Sequence, residues 1–133
     1  MAGNYGANQY KQTSITTANR GQLLLMLYEG AIQNVKKATL AMDKKDVPTK
    51  GMAIGKAHDI INELLNTLDV EAGGKIAQDL ERLYNFMIEQ LIKANVETSK
   101  EPLQTVLKLL ETLLEGWRGA VAQANRTGGV PSK

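Results

Sequence analysis

Leu103-Gln-Thr-Val106-Leu-Lys-Leu-Leu110-Glu-Thr-Leu113-Leu-Glu-Gly-Trp117-Arg-Gly-Ala120-Val-Ala-Gln-Ala124 decides the fold of this chain. The numbered positions fall at alternating steps of three and four, the spacing that lines one side of a helix packed against other helices. Leu24, Tyr28, Ala31, Val35, Ala38 and Met42 repeat that spacing near the front. Ile54, Ala57, Ile61, Leu64 and Leu68 do so in the middle, followed by Ile76, Leu80, Leu83, Met87, Leu91 and Ala94. Four such seams predict an all-α protein.

The residues between the seams say where each helix starts and stops. Asn19 is placed to cap the first helix, with Gln22 reaching back to complete a capping box, and the helix should run to about Lys44. Asp46-Val47-Pro48 predicts a stop followed by a start, because Asp caps and Pro in a first turn forfeits no hydrogen bond. The second helix should end near Leu68. Gly73-Gly74 breaks the chain, and a third helix is expected over 75–95. Ser99 caps the fourth, which holds Pro102 in its first turn and runs to about Gln123 or Asn125. Connections this short make sequential helices antiparallel neighbours. The expected architecture is an antiparallel up-down four-helix bundle over 19–125. A short N-terminal arm or lid over 1–18, with one helical turn expected around Asn8 to Gln12, precedes the bundle, and a flexible tail over 126–133 follows it.

Composition fits one soluble domain. The chain has 133 residues, 43% hydrophobic and 23% charged, with 3 prolines, enough to bury a core without staples. Sixteen Lys and Arg are scattered among 14 acids for a net charge of +2, which offers no basic stripe for nucleic acid. Cysteine is absent, closing off disulfides, thiol catalysis and thiolate zinc sites. The first residues lack the apolar core of a signal peptide. The longest apolar run, Leu23 to Tyr28, is far below the roughly 18 residues needed to span a bilayer. A cytoplasmic protein without direct membrane insertion is expected.

Catalytic and cofactor chemistry finds no foothold. His58 is the single histidine, and Gly55 stands three residues before it, so the Glu-x-x-His pair of a di-iron bundle is missing. Gly51 to Ala57 resembles a phosphate loop but is one residue short, ends in Ala and lies inside a helix. Gly73-Gly74-Lys75-Ile76 lacks the hydroxyl as well. Asp79 and Glu81 point to different helix faces, and Ser14, Ser99 and Ser132 have no partnering base. The expectation is no enzyme, no cofactor and no metal.

Apolar residues outside the seams carry the functional signal. At about 100° per residue, Leu25 lies about 100° from Leu24 and Met26 about 200° away, on the outside. Tyr84, Ile88 and Ile92 form a second stripe on the third helix, displaced by roughly 80–160° from Ile76. Leu107, Leu114 and Val121 widen the fourth seam. Some of this surplus belongs to a broad core, since a bundle helix touches two neighbours. The remainder needs a cover: the chain's own arm laying Tyr10 and Ile15 over it, a partner's amphipathic helix, or a second copy. Tyr10, Ile15, Leu25, Met26, Tyr84, Ile88 and Ile92 are the expected contacts, with Leu107, Leu114 and Val121 next.

Several motifs in order resemble the FliS family, the export chaperones of flagellin. Tyr10-Lys11-Gln12 matches the aromatic of the family's arm. Thr17-Ala18-Asn19-Arg20-Gly21-Gln22-Leu23 resembles its Thr-Ala-Ser-Pro-x-Glu-Leu entry, and Met26-Leu27-Tyr28-Glu29-Gly30-Ala31 resembles the segment that follows. Asp69-Val70-Glu71-Ala72-Gly73-Gly74-Lys75-Ile76-Ala77 looks like its acidic Gly-Gly turn. Leu80, Leu83-Tyr84-Asn85-Phe86-Met87, Ala94-Asn95 and Trp117 complete the pattern. Arg20 stands where the family usually has Pro, and Asn85 where it often has Asp. Neither departure touches the apolar surfaces.

The resemblance implies an ATP-independent cytoplasmic chaperone for the C-terminal segment of flagellin. That client is disordered when free and forms helices on the chaperone. Binding would prevent premature polymerisation and deliver the subunit to the type III export gate, with the membrane component FlhA as docking partner. It also implies an arm that covers part of the client surface. A self-associating helical bundle without a client, hiding its surplus in a weak homodimer, is the alternative.

Overall fold

The computed structural model describes residues 17–126, with side chains from Arg20 onward. The predicted arm contacts Tyr10 and Ile15 lie outside the described residues, as does most of the predicted tail. Four helices follow in order: α1 Thr17–Asp43, α2 Val47–Asn66, α3 Val70–Glu97 and α4 Lys100–Arg126. Each packs on its neighbours in the ring α1–α2–α3–α4 and back to α1. At about 1.5 Å per residue, α1, α3 and α4 are rods of roughly 40 Å.

The helix ends follow local chemistry, with two shifts from expectation. The first helix begins at Thr17, so Asn19 lies inside its first turn and the predicted cap fails. Ala18 is a strong helix former, and nothing ahead of Asn19 stops the helix from extending backward. At its far end, Lys45 adopts a left-handed φ of 59°, with Lys45 N donating to Met42 O and Asp46 N to Ala41 O. These bonds satisfy carbonyls that the last turn leaves open. Asp46 then caps α2 as expected, accepting from Thr49 N at 3.2 Å and from Thr49 Oγ1 at 2.7 Å. Those bonds hold its carboxyl below the usual carboxylate range. The Gly-Gly break is a kink inside α3: Asp69 caps one early turn, and Gly74 takes φ 59°, ψ −135°, a region open to glycine.

The core runs the length of the bundle, but the face α3 gives it differs from the expected seam. The buried positions are Ala77, Leu80, Tyr84, Met87, Leu91 and Ala94. Ile76 is 70% exposed and Leu83 only half-buried, so α3 is turned by part of a residue step. Tyr84, expected outside, is 1% exposed. Its hydroxyl meets that of Tyr28 at 2.6 Å across the diagonal of the ring, with the rings tilted by 58°. A buried hydroxyl without a partner costs about 1–3 kcal/mol, and this pairing answers two at once. Periodicity sees apolar bulk and not this bond, which is why Ile76 and Leu83 looked as eligible as Ala77 and Tyr84.

The α4 seam drifts in the same manner. Leu103, Val106 and Leu110 are buried, but Leu114 replaces Leu113 as the next buried residue, and Ala120 and Ala124 are exposed. Leu114 is therefore core, contrary to its place among the expected contacts. Near the end of α4, Val121 approaches α1 so closely that a Cβ on Gly21 would meet its side chain at 3.0 Å.

Candidate binding surface

Contacts between helices fix which shoulder of each rod faces which groove. On α2, Ile60 lies against Gly30 of α1, and Thr49, Met52 and Lys56 border the same α1 groove. The other shoulder of α2, carrying Gly51, Gly55, His58 and Asn62, must turn to α3. On α1, Glu29 and Lys36 face α4 through ion pairs with Arg118 and Glu111. A half-turn about the bundle axis carries α1 onto α3 and exchanges α2 with α4. It places Ile88, Ile92 and Val96 of α3 on the α2 side, and Leu83 and Phe86 on the α4 side.

The α2–α3 groove therefore has apolar side chains on its α3 wall, and Gly51 and Gly55 with His58 and Asn62 on its α2 wall. Ile92 is 52% exposed, Val96 is more exposed still, and Ile88 lies partly buried against the core beneath them. Lys50 of α2 bonds the carbonyl of Asn95, so antiparallel register brings Gly51 and Gly55 level with Val96 and Ile92, and His58 level with Ile88. A Cβ added at Gly51 or Gly55 would meet no atom within 4 Å. Two glycines one turn apart leave open space over the α2 backbone at the level of three branched apolar side chains. Across α3, Phe86 is exposed and Leu83 half-buried, opposite the half-buried Leu109 and Leu113 of α4. Helix α3 thus presents apolar surface on both shoulders.

Electrostatics around this surface is quiet. Asp79 on α3 is bracketed by Arg82 at 2.9 Å and Lys75 at 3.3 Å, which hold its carboxyl below the usual range. Burial pushes the Tyr28 and Tyr84 hydroxyls up. The Trp117 indole N–H lies near enough to Tyr28 to offset part of that rise, yet it makes no hydrogen bond of sound geometry among the described residues. Among the described residues, no three His, Asp or Glu side chains gather to hold a metal. None of the described helices is long and apolar enough to cross a membrane. What the arrangement can do is bind an amphipathic segment through apolar anchors.

Residues 2–124 match the family described as FliS, flagellar protein FliS. The chain belongs to this family. It is 39% identical over 115 residues to the flagellar secretion chaperone FliSB of Pseudomonas aeruginosa, covering 84% of this chain and 91% of that one. With the flagellar secretion chaperone FliS of Salmonella typhimurium it shares 37% over 118 residues, covering 85% and 87%. A crystal structure of a bacterial flagellar chaperone shares the fold, with a TM-score of 0.75 at 21% identity, over 90% of this chain and 98% of that one.

Within this FliS-family fold, the expected contact residues separate into groups. Met26, 51% exposed on α1, and Ile92 are open to a partner, and Ile88 forms the floor under Ile92. Leu25 and Leu107 are partly buried against the core, and Val121 is half-buried against α1. Tyr84 and Leu114 are core and drop out of the surface. Sequence reasoning missed Phe86 and Val96. Val96 could have been found by extending the Ile88–Ile92 step of four by one more turn.

Proposed function

We propose that this flagellar secretion chaperone holds the C-terminal segment of flagellin along the α2–α3 groove, with Ile88, Ile92 and Val96 as apolar anchors. The observation that carries the reading is the exposed apolar surface of Ile92 and Val96, level with open space at Gly51 and Gly55. A disordered client folding into it as an amphipathic helix buries apolar surface but loses chain entropy, giving moderate affinity over a large area. That balance suits a cargo that must be released. The second shoulder of α3, at Phe86 and Leu83, gives the same client a path around the helix.

The wider role follows from this hold. Kept on the chaperone, flagellin is prevented from polymerising early and is carried through the cytoplasm to the export gate, where FlhA receives the complex. The segment ahead of α1, with Tyr10 and Ile15, acts as a lid over part of the client surface until the client displaces it. The protein works by binding, without a bond-making step.

Titration of the full chain with a flagellin C-terminal peptide, followed by calorimetry and circular dichroism, tests this. A gain in helix with a negative heat-capacity change is expected. No binding, or self-association by sedimentation with the peptide excluded, would favour the homodimer reading instead.

A further inference from the structure

At the end of the bundle opposite Thr17 and Arg126, the α1–α2 and α3–α4 turns enclose a depression of about 330 Å³. Most of its exposed lining is apolar, from Ala41, Met42 and Val47, with Lys45, Asp46 and Thr98 beside them, and Lys50 stands among these with only 6% of its surface exposed. The Lys50 ammonium donates to Asn95 O at 3.1 Å and to Thr98 Oγ1 at 3.1 Å. Both acceptors belong to the C-terminal end of α3, whose dipole favours a cation there. An ammonium has three donors, and these bonds use two.

Among the described residues Lys50 has no ion-pair partner, although charges this deeply buried are normally paired. The acids nearby are engaged elsewhere: Asp43 pairs with Lys100, and Asp46 caps α2 through Thr49. Lys44 and Lys45 at the rim are exposed and form no ion pair among the described residues. The depression therefore combines apolar walls with a net positive lining, in which Lys45 and Lys50 outnumber the carboxylate of Asp46 and the Lys50 ammonium has no ion-pair partner among the described residues.

We propose that this depression receives a large apolar side chain from an acidic peptide segment, whose carboxylate completes the Lys50 ammonium. Residues 1–16 and 127–133 hold no Asp or Glu side chain and carry Lys11 and Lys133, so neither stretch offers the acidic side chains that the depression would attract. The site lies at the tip of the bundle, not along its side, and stands whether or not the α2–α3 groove holds flagellin.

The test is methyl and amide NMR on the full chain, titrated with a peptide bearing Leu-Phe between pairs of aspartate. Saturable shifts at Ala41, Met42 and Val47 are expected, weakened by salt and absent with asparagine in place of aspartate. Lys50→Met removes the charge but strips Asn95 and Thr98 of a donor and is liable to unfold that end. Val47→Asp alters an exposed wall residue and Lys45→Glu an exposed lining residue, neither buried in the bundle, and each should weaken the peptide by about tenfold. Unsaturable or absent shifts, equal binding of the asparagine peptide, or shifts confined to Ile88 and Ile92 would each overturn the proposal. So would the same methyl shifts appearing with protein concentration alone, which would identify a second copy as the occupant, or with deletion of residues 2–16, which would identify the arm.

Discussion

Replacing Ile92 with glutamate isolates the α2–α3 groove from the stability of the bundle. Burying an isoleucine fully is worth about 1.5–3 kcal/mol. Ile92 is 52% exposed in the free protein, so a client laid over it recovers about half of that, roughly 0.8–1.5 kcal/mol. Ile92→Ala should therefore weaken a flagellin C-terminal peptide by up to about tenfold. Ile92→Glu adds a carboxylate that the client must desolvate, on the order of 1–3 kcal/mol more, for a total loss of roughly twenty- to two-thousandfold. The half of Ile92 already covered costs the free protein about 1 kcal/mol when lost, a shift of a few degrees in melting temperature. Leu40→Glu is the matched control, since Leu40 is 58% exposed but lies on α1, diagonal to α3. Calorimetric titration of both variants, with melting curves alongside, decides the matter. If Ile92→Glu binds within about twofold of the unaltered chain, or Leu40→Glu loses as much, the groove is not where the client sits. Ile88→Glu is a poorer probe, because Ile88 packs on the core and its loss mixes folding with binding.

Gly55→Leu should leave the free protein as stable or slightly more so, by up to about 1 kcal/mol, because a good helix former replaces glycine in open space; the same side chain fills that space and should cut peptide affinity, so tight binding by a stable Gly55→Leu protein refutes the groove. Tyr84→Phe strands the Tyr28 hydroxyl in the core and should lower stability by about 1–3 kcal/mol in urea denaturation, and adding Tyr28→Phe should recover part of that loss instead of deepening it. Burial raises both tyrosine pKa values above the unfolded value, so the neutral pair contributes its full stability below about pH 10 and loses it as pH rises beyond; unfolding free energy should fall on that alkaline side, and Tyr28→Phe/Tyr84→Phe should flatten the fall.

Much of this was legible in the chain itself. The alternation of three and four residues fixed the helical class, and Asp46-Val47-Pro48 and Gly73-Gly74 marked the breaks, because capping and backbone restriction act within a few residues. The motifs from Thr17 to Trp117 pointed to the family. Ile92 and Met26 were legible as surplus because they fall far from a seam on any rotation. Tyr84 and Leu114 were misread for the converse reason: each neighbours a seam residue closely enough that a small turn of the rod swaps one for the other.

That turn is decided only when four rods meet. The sequence by itself determined that there would be helices, roughly where they end, and that they carry more apolar surface than one face can hide, since those follow from local spacing. Tertiary packing chose the face. The Tyr28 and Tyr84 hydroxyls, fifty-six positions apart, meet across the diagonal in one rotation of α3, and that rotation leaves Ile92 and Val96 exposed at the level of Gly51 and Gly55. The burial of Lys50 at the far tip is of the same kind, since its partners come from the end of α3. Spacing along the chain reports which residues share a side of one helix, whereas hydrogen bonds between helices depend on how the sides are turned toward each other.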